Sequence, residues 1–362
     1  LRVLGIGKFY PPEYYGGLES AVVTLNAGLV RRGVAVTCVV SSLGDRGAPG
    51  LVDGVRVVRV PTLATILSQP LSPGLAAAVR REPGDVVHLH HPNPLGDLAA
   101  LADRRRPLVV TQHSDIVRQR GLRLLYAWPV RRALARARLI AVASEQLLGT
   151  STELKGFERK ARVIPYGLEP APFVLTPEVR ARAAALRDAW GWGDAPTVLA
   201  VGRLVGYKGF DRLIRAMEHA PARLVLVGAG PEEPRLRALA GGRPSVRFAG
   251  RVGDADLVAY YHAADLFCLP SVTIAEAFGI VLLEAMACGR PLVTTSLPTG
   301  ISAVNRDGQT GLIVPPGDVP ALGEAIGALA GDRARREAMG RAARRVFEAE
   351  YTAERMVERY LE

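Results

Sequence analysis

Glu276-Ala-Phe-Gly-Ile-Val-Leu-Leu-Glu284, continued by Ala285-Met-Ala-Cys-Gly-Arg-Pro291, holds a turn, a helix and a stop in one short run. Residues 281–288 are good helix formers and Gly289 stops them. Phe278, Gly279, Ile280 and Val281 then make the first turn, whose free N–H groups and partial positive charge form a seat for a phosphate. Gly279 carries no side chain, so backbone there can approach a ligand. Glu276 precedes the seat and Glu284 projects from the next part of the helix. The pattern predicts a site for a phosphorylated, hydroxyl-rich ligand; the plain alternative is a capped helix with one solvated Glu. A strand-like run at 292–294 follows, so the stretch reads as one unit of an alternating helix–strand fold.

The same alternation extends in both directions. Strands are predicted at 3–6, 35–40, 55–60, 86–90, 108–111, 140–143 and 162–164, with helices at 17–32, 73–81, 95–104 and 122–138. A second series follows, with strands at 197–201, 222–227, 246–248, 266–269, 292–294 and 311–314. Its helices fall at 211–218, 234–240, 254–263, 281–288 and 319–329. Continuous apolar strands joined by helices mean parallel sheets covered on both faces. Two series imply an α/β protein of two doubly wound, Rossmann-like domains facing each other across a cleft. The expected division is 1–170, 171–345, and a C-terminal helix at 346–362 that packs back on the first domain. Ligands of such sheets bind outside the carboxyl ends of the strands, and every motif singled out below follows a strand.

A chain of 362 residues, 49% apolar and 22% charged, has ample core for two domains. No apolar run is long enough to span a bilayer. The sequence opens on a strand-like run at Leu1 and contains no charged-then-apolar segment, so no signal segment is expected within it. Cys38, Cys268 and Cys288 show no metal spacing and no disulfide framework, which fits a reducing cytoplasm. The net charge of +11 points to anionic partners. Arginine supplies nearly all of it: the lysines are Lys8, Lys155, Lys160 and Lys208. A lysine kept at 208, where arginine is the habit, suggests a point charge on a flexible stem.

After the first strand, Gly16-Gly17 opens a helix and offers bare amides to an oxyanion, although a plain flexible turn reads equally simply. The loop is too long for a dinucleotide fingerprint. Gly202-Arg-Leu-Val-Gly-Tyr-Lys-Gly209 follows the first strand of the second series. There the planar fork of Arg203 and the mobile ammonium of Lys208 suit a diphosphate leaving group, in place of a metal ion. His113, at the end of a strand, is a candidate donor to a substrate hydroxyl or leaving oxygen. His88, His90 and His91 lack a carboxylate or thiolate at ligand spacing, so no metal site is expected. The arginine-rich run 118–138, interleaved with Leu122, Leu124, Leu125, Tyr126 and Trp128, fits either an anionic membrane surface or a solvated helix face. No nucleic-acid fold signature accompanies it.

Taken together, Gly16-Gly17, His113, Arg203 with Lys208, and Glu276 with Glu284 resemble the retaining glycosyltransferases of family 4, with the GT-B fold. The resemblance spans nearly the whole chain and is nearest to bacterial mannosyl- and rhamnosyl-type transferases of surface-polysaccharide assembly. It implies that Arg203 and Lys208 hold a nucleotide diphosphate. Backbone of Phe278 to Val281, with Gly16 or Gly17, would meet the distal phosphate. Glu284 would bind the ribose, Glu276 and His113 the donor sugar, and backbone at Arg251-Val252 the base. One departure is Tyr166 in Ile164-Pro-Tyr-Gly167, where the family often has Asn.

The implied reaction moves a sugar from a nucleotide-diphosphate donor, of the GDP-mannose or UDP-sugar type, to a hydroxyl of a sugar or lipid-linked acceptor. Configuration is retained and neither metal nor cofactor is required. The implied location is the cytoplasm, peripheral on the inner membrane face, with no nucleic-acid partner. Two alternatives stand beside it: a sugar-nucleotide epimerase of similar fold, and a non-catalytic membrane-associated binding protein.

Overall fold

The computed structural model describes residues 1–12, 16–44, 50–66, 69–115, 123–191 and 193–362. The chain forms two compact units. The first is Leu1–Gly167 with Ala353–Glu362, and the second is Leu168–Thr352.

The first unit is built on β1 (Arg2–Ile6), β2 (Ala35–Ser42), β3 (Gly50–Val52), β4 (Val55–Pro61), a hairpin of β5 (Ala64–Ile66) and β6 (Gln69–Leu71), β7 (Val86–His91), β8 (Leu108–Gln112), β9 (Leu139–Val142) and β10 (Ala161–Val163). Its main sheet runs β10-β9-β8-β7-β1-β2-β4-β3. Every pair is parallel except β3 with β4 at one edge. Successive side chains of a strand face opposite ways, and here both faces are apolar. Leu4 and Val39 join one core with Leu89, Val110 and Ile140, while Val3, Cys38 and Val40 join another with Val36 and Val57. That double burial is what a parallel sheet under helices on each side demands. Met356 and Val357, from helix Ala353–Leu361, belong to the second of these cores, and Arg32 pairs with Glu354 at 2.9 Å.

The second unit holds β11 (Thr197–Val201), β12 (Arg223–Val227), β13 (Val246–Gly250), β14 (Leu266–Leu269), β15 (Leu292–Thr295) and β16 (Gly311–Val314). Its sheet is parallel throughout, in the order β13-β12-β11-β14-β15-β16. The direction of chain progression reverses between β11 and β14. In sheets of this type a ligand crevice opens beyond the carboxyl ends at that point. The corresponding reversal in the first unit lies between β1 and β7.

Two local features depart from the sequence expectation. The C-terminal helix expected at 346–362 is divided between the end of helix Arg333–Glu350 and a separate helix, Ala353–Leu361. The Tyr351 carbonyl accepts from the Leu168 amide at 2.9 Å, which diverts it from a helical partner and breaks the ladder. The short strands β3, β5 and β6 carry no apolar alternation long enough to announce them. Among the described residues no helix is long and apolar enough to cross a membrane.

Candidate functional site

Loops after β11 and β14 are neighbours because those strands pair. Gly209 ends the β11 loop in the left-handed region (φ 69°), and an added Cβ would lie 2.1 Å from the Pro270 carbonyl oxygen. The Val272 amide donates to the Tyr207 carbonyl at 2.9 Å across the same gap. Backbone contact this close sets Lys208 beside the segment that follows β14. Lys208 Nζ lies 2.5 Å from Glu276 Oε2, and Ser271 Oγ donates to the same oxygen at 3.2 Å. Both charged residues are buried, Lys208 being 8% exposed. The cation expected at a diphosphate and the carboxylate expected at a sugar thus form one buried pair.

Gly279 caps helix Ile280–Ala287 with φ 76°, a conformation that glycine adopts without strain. The amides of Ile280 and Val281 start the helix and have no intrahelical acceptor. Phe278 is buried just before the cap. On the same helix, Glu284 Oε2 accepts from the Tyr261 hydroxyl at 2.6 Å, while Oε1 has no partner among the described residues. Burial raises the Glu284 carboxyl above its usual value, opposed by the Tyr261 hydrogen bond. Arg203 is exposed directly after Gly202, and its side chain has no partner among the described residues. Arg251 and Val252 follow β13 on the same edge of the sheet. The carboxyl edge of this unit therefore carries Arg203, the Lys208–Glu276 pair, two open helix amides and a carboxylate oxygen.

Gly16 and Gly17 stand in the other unit, where Gly16 caps helix Gly17–Arg31 and accepts from the Ser20 amide. Residues 13–15 of that loop lie outside the described residues, as do 118–122 of the arginine-rich run. The described part of the run forms helix Arg123–Arg136, from which Trp128 is 58% exposed beneath the Arg132 guanidinium at 5.3 Å.

His113 closes β8 and is buried. Its Nδ1 hydrogen-bonds the Tyr166 hydroxyl and its Nε2 lies 3.1 Å from His90 Nδ1, so both ring nitrogens are held within the protein. Tyr166, the departure from the family pattern, is therefore the partner that fixes this imidazole. His88 Nε2 bonds Thr111 Oγ1 at 2.7 Å, and that oxygen meets the Tyr360 hydroxyl at 2.8 Å. His91 sits between carboxylates, with Nδ1 3.1 Å from Asp97 and Nε2 3.2 Å from Glu153. Gln112 donates to Glu153 and Tyr126 to Asp97. No sequence spacing announced Asp97, Glu153, Tyr166 or Tyr261 as partners.

These environments divide the histidines. Burial lowers His88 to about 4 and, with repulsion from His88 and His91, His113 to about 3. Burial also holds His90 well below its ordinary value. For His91 burial is outweighed by Asp97 and Glu153, which raise it to about 10. The unfolded reference is about 6.5. Below it, the unfolded chain takes up protons that His88, His90 and His113 refuse, so stability falls as pH falls, by up to about 1.4 kcal/mol per pH unit for each. The His91 contribution is complete below about 6.5 and is lost as pH rises toward 10. Melting temperature is expected to peak near neutrality and drop steeply toward pH 5, with the alkaline decline shallower in His91→Gln. A melting temperature that climbs between pH 7 and pH 5 would contradict this assignment.

A groove of about 870 Å³ on the second unit lies at the opposite edge, beside residues that precede β11, β14 and β15. Its arginines cap helix ends: Arg187 donates to the Ala263 carbonyl, Arg290 to Ala264 and Arg336 to Leu329. Cations at the negative ends of helices stabilise the fold, and this groove shares no residue with the carboxyl edge.

Comparison with known proteins gives consistent results. Residues 15–171 match the family described as Glycosyltransferase Family 4, and residues 184–346 match Glycosyl transferases group 1. The chain is 34% identical over its full length to O-antigen chain mannosyltransferase C of Escherichia coli, covering 97% of that protein. It is also 34% identical to D-rhamnosyltransferase WbpZ of Pseudomonas aeruginosa, over 98% of the chain and 93% of that protein. Among solved structures, Anabaena Alr3699/HepE in complex with UDP superposes with a TM-score of 0.80 at 20% identity, covering 100% of this chain and 98% of that one. Sucrose-phosphate synthase from Thermosynechococcus elongatus gives 0.80 at 22% identity, over 99% and 97%. These two structural likenesses show the fold.

Proposed function

This chain belongs to the glycosyltransferases of group 1 and family 4, with the GT-B fold, and on that footing we propose that it transfers a manno-configured hexose from a nucleotide-diphosphate donor to an acceptor hydroxyl with retention. The observation that carries the reading is the carboxyl edge of the second unit, where Lys208, Arg203 and the amides of Ile280 and Val281 supply positive charge after adjacent strands. The manno configuration is supported by the mannosyl- and rhamnosyltransferase relatives. Glu284, oriented by Tyr261, has one oxygen open for a ribose hydroxyl.

The demanding event is departure of the diphosphate as the sugar becomes oxocarbenium-like. Charge that develops on the leaving oxygen is met by donors already in place, and one such donor is worth about 3–4 kcal/mol. The proposed chemistry therefore uses side-chain cations and backbone N–H dipoles, with no divalent ion, to meet that charge. The bond from the anomeric carbon to the diphosphate breaks, the acceptor oxygen bonds the same face, and the acceptor proton passes to the departing phosphate. The Lys208 ion pair spreads the Glu276 charge, which favours this route over attack by Glu276 itself. The acceptor is a growing surface saccharide or a lipid-linked sugar, and peripheral contact with an anionic membrane through the Trp128 helix belongs to the same proposal.

The test incubates the enzyme with GDP-mannose, GDP-rhamnose and UDP-hexoses, with and without lipid-linked saccharide acceptors, and follows the anomeric proton by NMR. Transfer with the donor's anomeric configuration is expected. An isomerised donor formed without acceptor would instead identify an epimerase, and an inverted product would rule out the retaining route.

A further inference from the structure

We infer that the arginine groove at the amino edge of the second unit is a binding site for one compact oligoanion, a ligand that carries several phosphate groups and little apolar surface. It stands apart from the transfer reading, because none of the groove's residues belongs to the carboxyl edge.

Every residue that lines the groove belongs to the second unit. Three helices end there. Arg290 donates to the Ala264 carbonyl after helix Asp254–Ala263, Arg344 to the Ala287 carbonyl of helix Ile280–Ala287, and Arg336 to the Leu329 carbonyl of helix Val319–Gly331. Capping explains why arginines are present, but not how many. Seven line the groove, against the carboxylates of Asp194, Asp265 and Glu337. A helix end is worth about half a negative charge, so roughly two positive charges stay unmatched once carboxylates and helix ends are all counted. Arg345 is exposed and has no partner among the described residues. Arg290 spends Nε on the Cys288 carbonyl at 2.9 Å and Nη1 on Ala264 at 2.7 Å. Its Nη2 has no partner among the described residues and is not sealed from solvent. No carboxylate lies within ion-pair distance of Arg290 among those residues, and burial, with repulsion from Arg187, holds its pKa below the ordinary arginine value. A sunken cation without a counter-charge is costly, and an anion in the groove offsets that cost.

The form of the groove decides the class of ligand. At about 870 Å³ it has the size of a small-molecule site. Its walls are fixed: a Cβ on Gly340 would lie 2.3 Å from the Gly289 carbonyl oxygen, so helix Arg333–Glu350 meets the turn after helix Ile280–Ala287 at backbone contact. Guanidinium groups anchored on carbonyls hold their remaining N–H groups in set planes, a geometry that phosphate oxygens match. Apart from charged residues, the lining is Gly289, Pro291 and Gly340. It offers no aromatic ring for a base to stack on, no large apolar side chain to enter a bilayer, and no such anchor for a protein partner. What fits is a compact phosphorylated ligand, from one of two sources: inorganic oligophosphate or a phosphorylated sugar.

The test titrates the full chain calorimetrically at about 0.15 M salt, where distant exposed charges are largely screened. The probes are sodium tripolyphosphate, pyrophosphate, fructose 1,6-bisphosphate and mannose 1-phosphate. Tighter binding of an inorganic probe names that source; tighter binding of a sugar phosphate names the other. The double variant Arg341→Gln/Arg345→Gln removes two exposed charges that hold no helix end. It is expected to weaken the tightest probe by about tenfold or more, with the melting temperature of the free protein unchanged. Arg247→Gln, which removes an exposed charge outside the groove, should leave that affinity within about twofold. Because the carboxyl edge also attracts phosphate, the same titrations are run on Lys208→Ala, which should keep the groove's binding. Binding lost in Lys208→Ala but kept in the double variant would assign it all to the carboxyl edge and overturn the inference. Equal weakening by Arg247→Gln would show net charge alone at work and overturn it too. So would binding of none of these probes, including a result in which only RNA or phosphatidylglycerol vesicles bind.

Discussion

Lys208→Ala is expected to lower turnover by about 10²–10³-fold, the loss that follows removal of one donor to a developing oxyanion. The ammonium sits at the carboxyl edge of the second unit, where the paired strands β11 and β14 deliver their loops side by side. Its removal also leaves the buried Glu276 carboxylate with only the Ser271 hydroxyl as a side-chain donor among the described residues. Breaking a buried pair costs about 3–5 kcal/mol when one charge is left behind, so a fall in melting temperature should accompany the loss of rate. The two effects separate in Glu276→Gln, which removes the carboxylate charge and keeps the cation. That variant should bind the nucleoside diphosphate at least as well as the wild type, whereas Lys208→Ala should bind it weakly. Turnover within threefold of wild type in a folded Lys208→Ala would place the diphosphate elsewhere.

Gly209→Ala should be nearly as damaging, for a reason that is steric rather than chemical. At φ 69° a side chain is strained, and the new Cβ would fall 2.1 Å from the Pro270 carbonyl oxygen and 3.0 Å from Val272 Cγ1. The closer atom is backbone, which cannot swing aside as a side-chain tip can. Relief requires the β11 loop to part from the β14 segment, which would strain the Val272–Tyr207 hydrogen bond and draw Lys208 away from Glu276. Incompatible substitutions at positive φ cost more than about 1 kcal/mol even without a clash. Urea unfolding should show a lower midpoint, and turnover should fall with it. An unchanged midpoint together with full activity would show that the two loops are not held in this way.

The sequence carries the fold where a period or a punctuating residue exists. Apolar β-branched runs such as 197–201 and glycine stops such as Gly289 announce their elements locally, and the lone late lysine marks Lys208. Strand order is not local. That β14 pairs with β11, and so brings Glu276 to Lys208, depends on burial of both sheet faces and leaves no mark in either loop. The same holds for His91, whose carboxylates come from Asp97 on one helix and from Glu153 far along the chain. His113 was legible as a candidate from its place at a strand end. Its engagement by Tyr166 and His90 was not, because ring orientation is set by three separate segments.

The central claim is that one diphosphate is held by the cations and open amides at the carboxyl edge of the second unit. A crystal structure with GDP or UDP, whichever binds more tightly, tests it most directly. The phosphates should lie within hydrogen-bonding distance of Lys208 Nζ, the Arg203 guanidinium and the amides of Ile280 and Val281, with the ribose on Glu284. Density for the nucleotide in the arginine groove at the opposite edge, with those groups out of reach, would contradict the account.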